Sequence, residues 1–250
     1  MELTTLAVLS SLVIAGASLQ RVSGMGLALI ASPAFVLLLG PLSGVFLVNF
    51  CSVVLAAALT VRSAALIDRA RGLWLVAAAI LGVLAGSLLL LVLPASWLHI
   101  VVGASMLASL FSIGRDRARL RLRGMSPLVA AGALSGAMNV TTGMGGPPLA
   151  LYGALTRWDH RSFAATAQPV FLVTGALSLG TKLWLVPAAV PELDIWMWAA
   201  FTLACLVGLL IGEGLARVTP VRAARRALLV LALAGSAVVL ARGVILLVWS

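Results

Sequence analysis

The 250-residue chain is 62% hydrophobic and only 10% charged, with a mean hydropathy of +1.18, a balance that excludes a soluble globular domain. Its net charge of +10 would suit nucleic acid in a soluble protein, but the arginines stand in short connections between apolar runs, where the positive-inside rule accounts for them with no nucleic acid as partner. Cys51 and Cys205 lie within apolar segments and have no His/Cys cluster around them; they read as small packing residues, and neither a disulfide framework nor a metal or other cofactor is expected.

The first apolar segment, 3–19, holds an Ala15-Gly16-Ala17 step that looks like a cleavage site, but it follows Met1-Glu2 with no basic residue before it. It therefore reads as a membrane segment and not as a removable signal. Further apolar segments follow at 24–41, 43–61, 73–93, 98–114, 126–141, 147–156, 162–186, 195–216 and 227–248. Spanning a bilayer takes roughly 20 helical residues. The segment at 147–156 has about half of that, and 24–41 is broken by Pro33 and begins in glycines. The expectation is an all-α, polytopic helical membrane protein with eight to ten membrane segments, two of them interrupted or re-entrant.

The arginines set the orientation. Of the 17 basic residues, all but Arg242 and Lys182 are Arg21 or fall in the connections 62–71, 115–123, 157–161 and 217–226. The intervening connections at 94–97 and 187–194 carry no basic residue, and the second contains Glu192 and Asp194. The basic connections are expected in the cytoplasm, with both termini outside, in the cell inner (cytoplasmic) membrane.

An internal repeat emerges at an offset of 119 residues, which lays Gly24-Met25-Gly26 on Gly143-Met144-Gly145, Gln20 on Asn139, Ser23 on Thr142 and Asn49 on Gln168. At an offset of 126, Gly82, Gly86 and Pro94 fall on Gly208, Gly212 and Pro220. The chain then forms one transport domain of two halves, about 1–114 and 126–250, joined by the basic connection 115–125. Inside loops of one half match outside loops of the other, so the repeat is expected to be inverted. Interrupted segments at matching places in inverted halves point to a substrate site near the membrane midplane.

The stretch 131–152 organises this reading. An apolar run with small-residue steps passes into Asn139, Thr141 and Thr142, then Gly143-Met144-Gly145-Gly146-Pro147-Pro148, and turns apolar again. A proline in the first turn of a helix loses no hydrogen bond, so a helix N-terminus is expected to open here. Such an end favours an anion. The expected substrate-binding residues are Gln20, Ser23, Gly24, Gly26, Asn49, Asn139, Thr141, Thr142, Gly143, Gly145, Gly146 and Gln168. Single glycines and hydroxyls in a membrane mostly serve helix packing; four amides at pairwise matched places carry the stronger signal.

The glycine-rich interruption ending in Gly145-Gly146-Pro147, its echo at Gly24-Met25-Gly26, the small-residue step from Gly132 to Gly136 and the basic central connection together resemble the TauE/SafE sulfite exporter family. The first half departs from the pattern, because Leu27 and Ala28 follow Gly26 and the proline is delayed to Pro33. The resemblance implies a permease for sulfite, sulfonates or related small organic anions, commonly outward, with the lipid bilayer as its other partner and a homodimer left open. Uptake of another small anion is the alternative within transport. An intramembrane enzyme is weighed on Ala133-Leu134-Ser135-Gly136, which lacks the first glycine of a membrane serine protease and has no histidine placed as base. A non-transporting assembly protein needs no matched interruptions. Lys182 is expected to snorkel to the headgroups, with gating or attraction of an anion as the alternative, Glu213 to pair with Arg217 or carry a proton, Arg21 to anchor at the interface or face the anion, and the tryptophans to form an aromatic belt.

Overall fold

The computed structural model describes residues 3–94, 97, 100, 104, 107, 124–218 and 221–248. The expected segment 98–114, apart from isolated positions, and the basic connection 115–123 lie outside the described residues, as do the side chains of Arg217, Arg222, Arg225 and Arg226. Among the described residues the chain is helical, without strands. Its α-helices are α1 (Leu3–Ser23), α2 (Leu27–Leu39), α3 (Pro41–Arg62), α4 (Arg69–Val92), α5 (Met125–Thr142), α6 (Gly146–Thr156), α7 (His160–Leu185), α8 (Ile195–Val218) and α9 (Val221–Val248). By length and composition α1, α3, α4, α7 and α8 can cross a membrane. With 13 and 11 residues, α2 and α6 reach about 20 and 17 Å at a rise of about 1.5 Å per residue, short of the roughly 30 Å hydrocarbon core.

Local chemistry explains the boundaries. Asp68 and Asp159 cap α4 and α7 by accepting from the backbone N–H of Arg71 and Ser162, both at 3.0 Å. The helix α1 ends later than its apolar run, at Ser23, so Gln20 and Arg21 belong to it and only Gly24, Met25 and Gly26 form the first interruption. Gly24 and Gly143 terminate α1 and α5 in the left-handed region, at φ 83° and 74°, which glycine enters without a steric penalty. Their N–H groups donate back to the carbonyls of Gln20 and Asn139, both at 2.8 Å.

The most extensive helix packing joins opposite halves of the chain. Helix α4 lies along α5 so closely that a Cβ on Gly82 would stand 1.9 Å from the Ala133 carbonyl oxygen, and one on Gly136 2.0 Å from that of Ala79. Helix α8 lies along α1 in the same manner, with Gly208 against the Ile14 carbonyl (2.6 Å) and Gly212 against that of Ser18 (2.7 Å). The contacts correspond: an offset of 126 carries Gly82 and Gly86 onto Gly208 and Gly212, and an offset of 119 carries Ile14 and Ser18 onto Ala133 and Ala137, the residues those glycines touch. Small residues allow this approach, and dispersion between backbones holds it, where lipid offers no hydrophobic drive. Helices α3 and α7 cross at the centre and run antiparallel, Asn49 meeting Ser178 and Val53 meeting Gly175. Cys51 and Cys205 are free and buried in the cluster that also holds Phe35 and Phe201.

The charged ends gather at one face of the bundle. Glu213 binds Arg21 at 3.4 Å through one oxygen and Arg62 through the other; the expected pairing with Arg217 falls on a side chain outside the described residues. Arg71 stacks over the Trp158 ring at 4.7 Å, and Asp68 N–H donates to Thr166 Oγ1 at 2.9 Å. The connection at 62–71 therefore sits beside that at 157–161. Trp184 and Trp196 are exposed, whereas Trp198 packs on Phe46 and Phe50.

Candidate functional site

Both interruptions open onto one cavity. It is lined by Gln20, Met25, Gly26, Ala28 and Leu29 from the first half and by Asn139, Gly143 to Pro147 and Phe171 from the second, with Ser52 of α3 between them. The volume is about 20 Å³, enough for one water-sized body, since a water needs about 10–15 Å³. Gly26 and Gly145 stand at the N-cap positions of α2 and α6 and bring no capping side chain of their own, though the Leu27 N–H of α2 donates to Gln20 Oε1. The partial positive charge of two helix N-termini is thus directed at the same space. A Cβ on Gly146 would stand 3.3 Å from Met25 Sδ, which shows how near the two breaks are.

The four matched amides form two ties between the halves. Gln20 Nε2 donates to Gln168 Oε1 at 3.2 Å, and Gln20 Oε1 accepts from Leu27 N–H at 3.2 Å, so one end of Gln20 starts α2 and the other holds α7. Gln168 Nε2 donates to the carbonyls of Gly24 (3.1 Å) and Ala164 (2.9 Å). In the second tie Asn49 Nδ2 donates to the Asn139 carbonyl at 3.3 Å and to Ser178 Oγ at 2.9 Å. Asn49 and Asn139 are buried, and the Oδ1 of each has no hydrogen-bond partner. A buried, unpaired amide oxygen costs about 1–3 kcal/mol. Ten residues of α7 separate Gln168 from Ser178, so the ties stand about 15 Å apart along the bundle with the cavity between them.

Of the twelve expected site residues, Gln20, Gly26, Asn139, Gly143, Gly145 and Gly146 line the cavity. Asn49 and Gln168 stand behind it, bonded to Asn139 and Gln20. The remaining four build the interruptions. Ser23 Oγ donates to the carbonyls of Leu19 and Met25, Thr141 Oγ1 to that of Ala137 and Thr142 Oγ1 to that of Met138, while Gly24 supplies the carbonyl for Gln168. These hydroxyls are spent on backbone. Thr142 Oγ1 also accepts from Met144 N–H at 3.1 Å, which shapes the second break.

The structure adds residues that sequence reasoning missed or misread. Ser32 Oγ donates to the Thr142 carbonyl at 2.5 Å, bonding α2 to the end of α5. Ser135, the enzyme-like serine, donates to the Gly145 carbonyl at 2.7 Å and is fully buried. Ser52 reaches the cavity from α3; a single serine in an apolar run carries no signal of that. Lys182 does not snorkel: it is 1% exposed and its Nζ donates to the Val140 carbonyl at 2.6 Å. Its place near a helix end suggested the headgroups, but the facing end of α5 offers the Val140 carbonyl, which holds Nζ within the bundle.

A family model described as Sulfite exporter TauE/SafE matches residues 8–239. No curated protein and no solved structure matches the chain.

Proposed function

The chain belongs to the sulfite exporter TauE/SafE family and is a membrane transporter, and from that premise we propose that its cavity binds sulfite, a sulfonate or a related small organic anion and exports it by alternating access. The observation that carries this reading is the meeting of two half-helix starts, at Gly26 and Gly145, and the Asn139 amide at one cavity. Taking an unpaired charge into a bilayer is costly. Two helix dipoles and backbone N–H groups at Gly145 and Gly146 replace the water of an anion without a metal. The Asn139 side chain turns an N–H toward the anion when its amide rotates, leaving Oδ1 for a neighbour.

The two halves act as an inverted repeat about the α3–α7 crossing. The antiparallel run of these matched helices and the corresponding glycine contacts support that relation. A cavity with room for one water-sized body is a closed form on this reading, and rocking of one half against the other widens it toward each side in turn. The basic face carrying Arg21, Arg62 and Arg71 is the cytoplasmic one, in the cell inner membrane.

The test is thermal unfolding of the detergent-purified protein against sulfite, sulfate, thiosulfate, sulfoacetate, taurine and simple carboxylates. A ligand at 100 times its dissociation constant stabilises by about 2.7 kcal/mol. Selective stabilisation by sulfite or a sulfonate is expected, together with its loss and loss of vesicle flux in Asn139→Ala and Gly145→Leu. No shift with any of these anions, or unchanged flux in both variants, refutes the site.

A further inference from the structure

Lys182 is the single lysine of the chain and the one buried charged side chain among the described residues. Its Nζ has the Val140 carbonyl at 2.6 Å and Ser178 Oγ at 3.5 Å, and among the described residues no carboxylate pairs with it. From there a chain of hydrogen bonds leads to the cavity: Ser178 Oγ accepts from Asn49 Nδ2, which also donates to the carbonyl of Asn139, a wall residue.

This geometry satisfies either charge state. As an ammonium, Nζ donates to both oxygens; as a neutral amine, it still donates to the Val140 carbonyl and accepts from the Ser178 hydroxyl. Among the described residues nothing facing it supplies a countercharge. Helix α3 presents Asn49, and the side chains gathered around Val140, including Val83 and Leu90 of α4, Leu177 of α7, Leu42 and Leu93, are apolar. Glu192 and Asp194, in the connection after α7, are exposed and form no ion pair with it. The opposite end of the bundle differs. The 119 offset carries Arg21 onto Val140, the acceptor of Lys182, and there Arg21 and Arg62 share the carboxylate of Glu213. Those cations have their counterion, whereas Lys182 has a carbonyl and a hydroxyl. A buried ammonium without a counterion is unfavourable, and an anion arriving at the cavity end of that hydrogen-bonded chain stabilises it.

Resting on the reading that the cavity takes an anion, we propose that Lys182 carries a proton in step with that anion: a neutral amine when the cavity is empty, an ammonium when it is filled. The lone pair of Nζ takes a proton from hydronium on the loading side, forming one N–H bond as an O–H bond breaks and water is left. On release of the anion the proton returns to water on the other side, so one proton moves with each anion.

The experiment is calorimetric titration of the detergent-purified protein near neutral pH with sulfoacetate and with methanesulfonate, whose acidic groups do not titrate there. Each titration is run in two buffers of different protonation heat, which counts protons taken up per anion bound. The expected result is an uptake approaching one proton for the wild type. Lys182→Arg, permanently charged, binds with no uptake, and Lys182→Gln takes up none and binds at least tenfold more weakly. Wild-type binding without proton uptake, or uptake retained in Lys182→Arg or Lys182→Gln, overturns the proton role and leaves the anion site standing. No binding of either sulfonate by the wild type overturns this proposal, and if sulfite and the carboxylates also fail to bind, the anion reading falls with it.

Discussion

Gln168→Leu tests how the two halves are held at the cavity. The substitution removes the donor to the Gly24 carbonyl and the acceptor for Gln20 Nε2, while the Ala164 carbonyl keeps its place in the α7 backbone. Two buried polar groups are left unpaired, each at about 1–3 kcal/mol, so a loss of about 2–4 kcal/mol remains after partial relaxation. For a chain of this size that corresponds to a fall in Tm of roughly 4–16 °C, at about 2–4 °C per kcal/mol. Gln20→Leu leaves Leu27 N–H and Gln168 Oε1 unpaired instead. The double variant no longer buries either amide head, so its loss is expected to fall short of the sum by about 0.5–3 kcal/mol. Thermal unfolding of all four proteins in one detergent measures the cycle, and anion flux in vesicles is expected to fall with it, because the start of α2 is no longer fixed. Wild-type stability in Gln168→Leu, or strict additivity, refutes the tie as described.

Two further outcomes follow from packing and charge. Gly136→Val places a methyl-bearing carbon 2.0 Å from the Ala79 carbonyl oxygen, so α4 must move; overpacking costs about 1–3 kcal/mol or more, read as lower Tm and yield, whereas Gly180→Val, with nothing within 4 Å of its Cβ, is expected to leave both near wild type. Glu213→Ala removes the carboxylate shared by Arg21 and Arg62, whose side chains are 37% and 47% exposed. For such screened pairs stability should change by less than about 1 kcal/mol. Access is the sensitive readout: a Ser52→Cys reporter in the cavity should react faster with a membrane-impermeant thiol reagent from the basic face once Glu213 is replaced. An unchanged rate argues against that ion cluster as the closure of this face.

What could be read from the sequence was what depends on local order. Hydropathy and length give the helices, because every backbone group in a bilayer must be paired within its own segment. Glycine followed by proline marks where α5 breaks and α6 starts, because positive φ and a missing N–H are properties of single residues. The offset of 119 picked out the amides Gln20, Asn139, Asn49 and Gln168, which fall on α1, α5, α3 and α7. Only the tertiary structure decided how these groups are used. It spent the hydroxyls of Ser23, Thr141 and Thr142 on backbone carbonyls, brought Ser52 to the cavity, gave Glu213 to Arg21 and Arg62 and buried Lys182 on Val140. Each of these depends on a partner more than thirty residues away or on a choice between competing acceptors, and a hydrogen bond has a direction and a distance that the spacing along a chain does not contain.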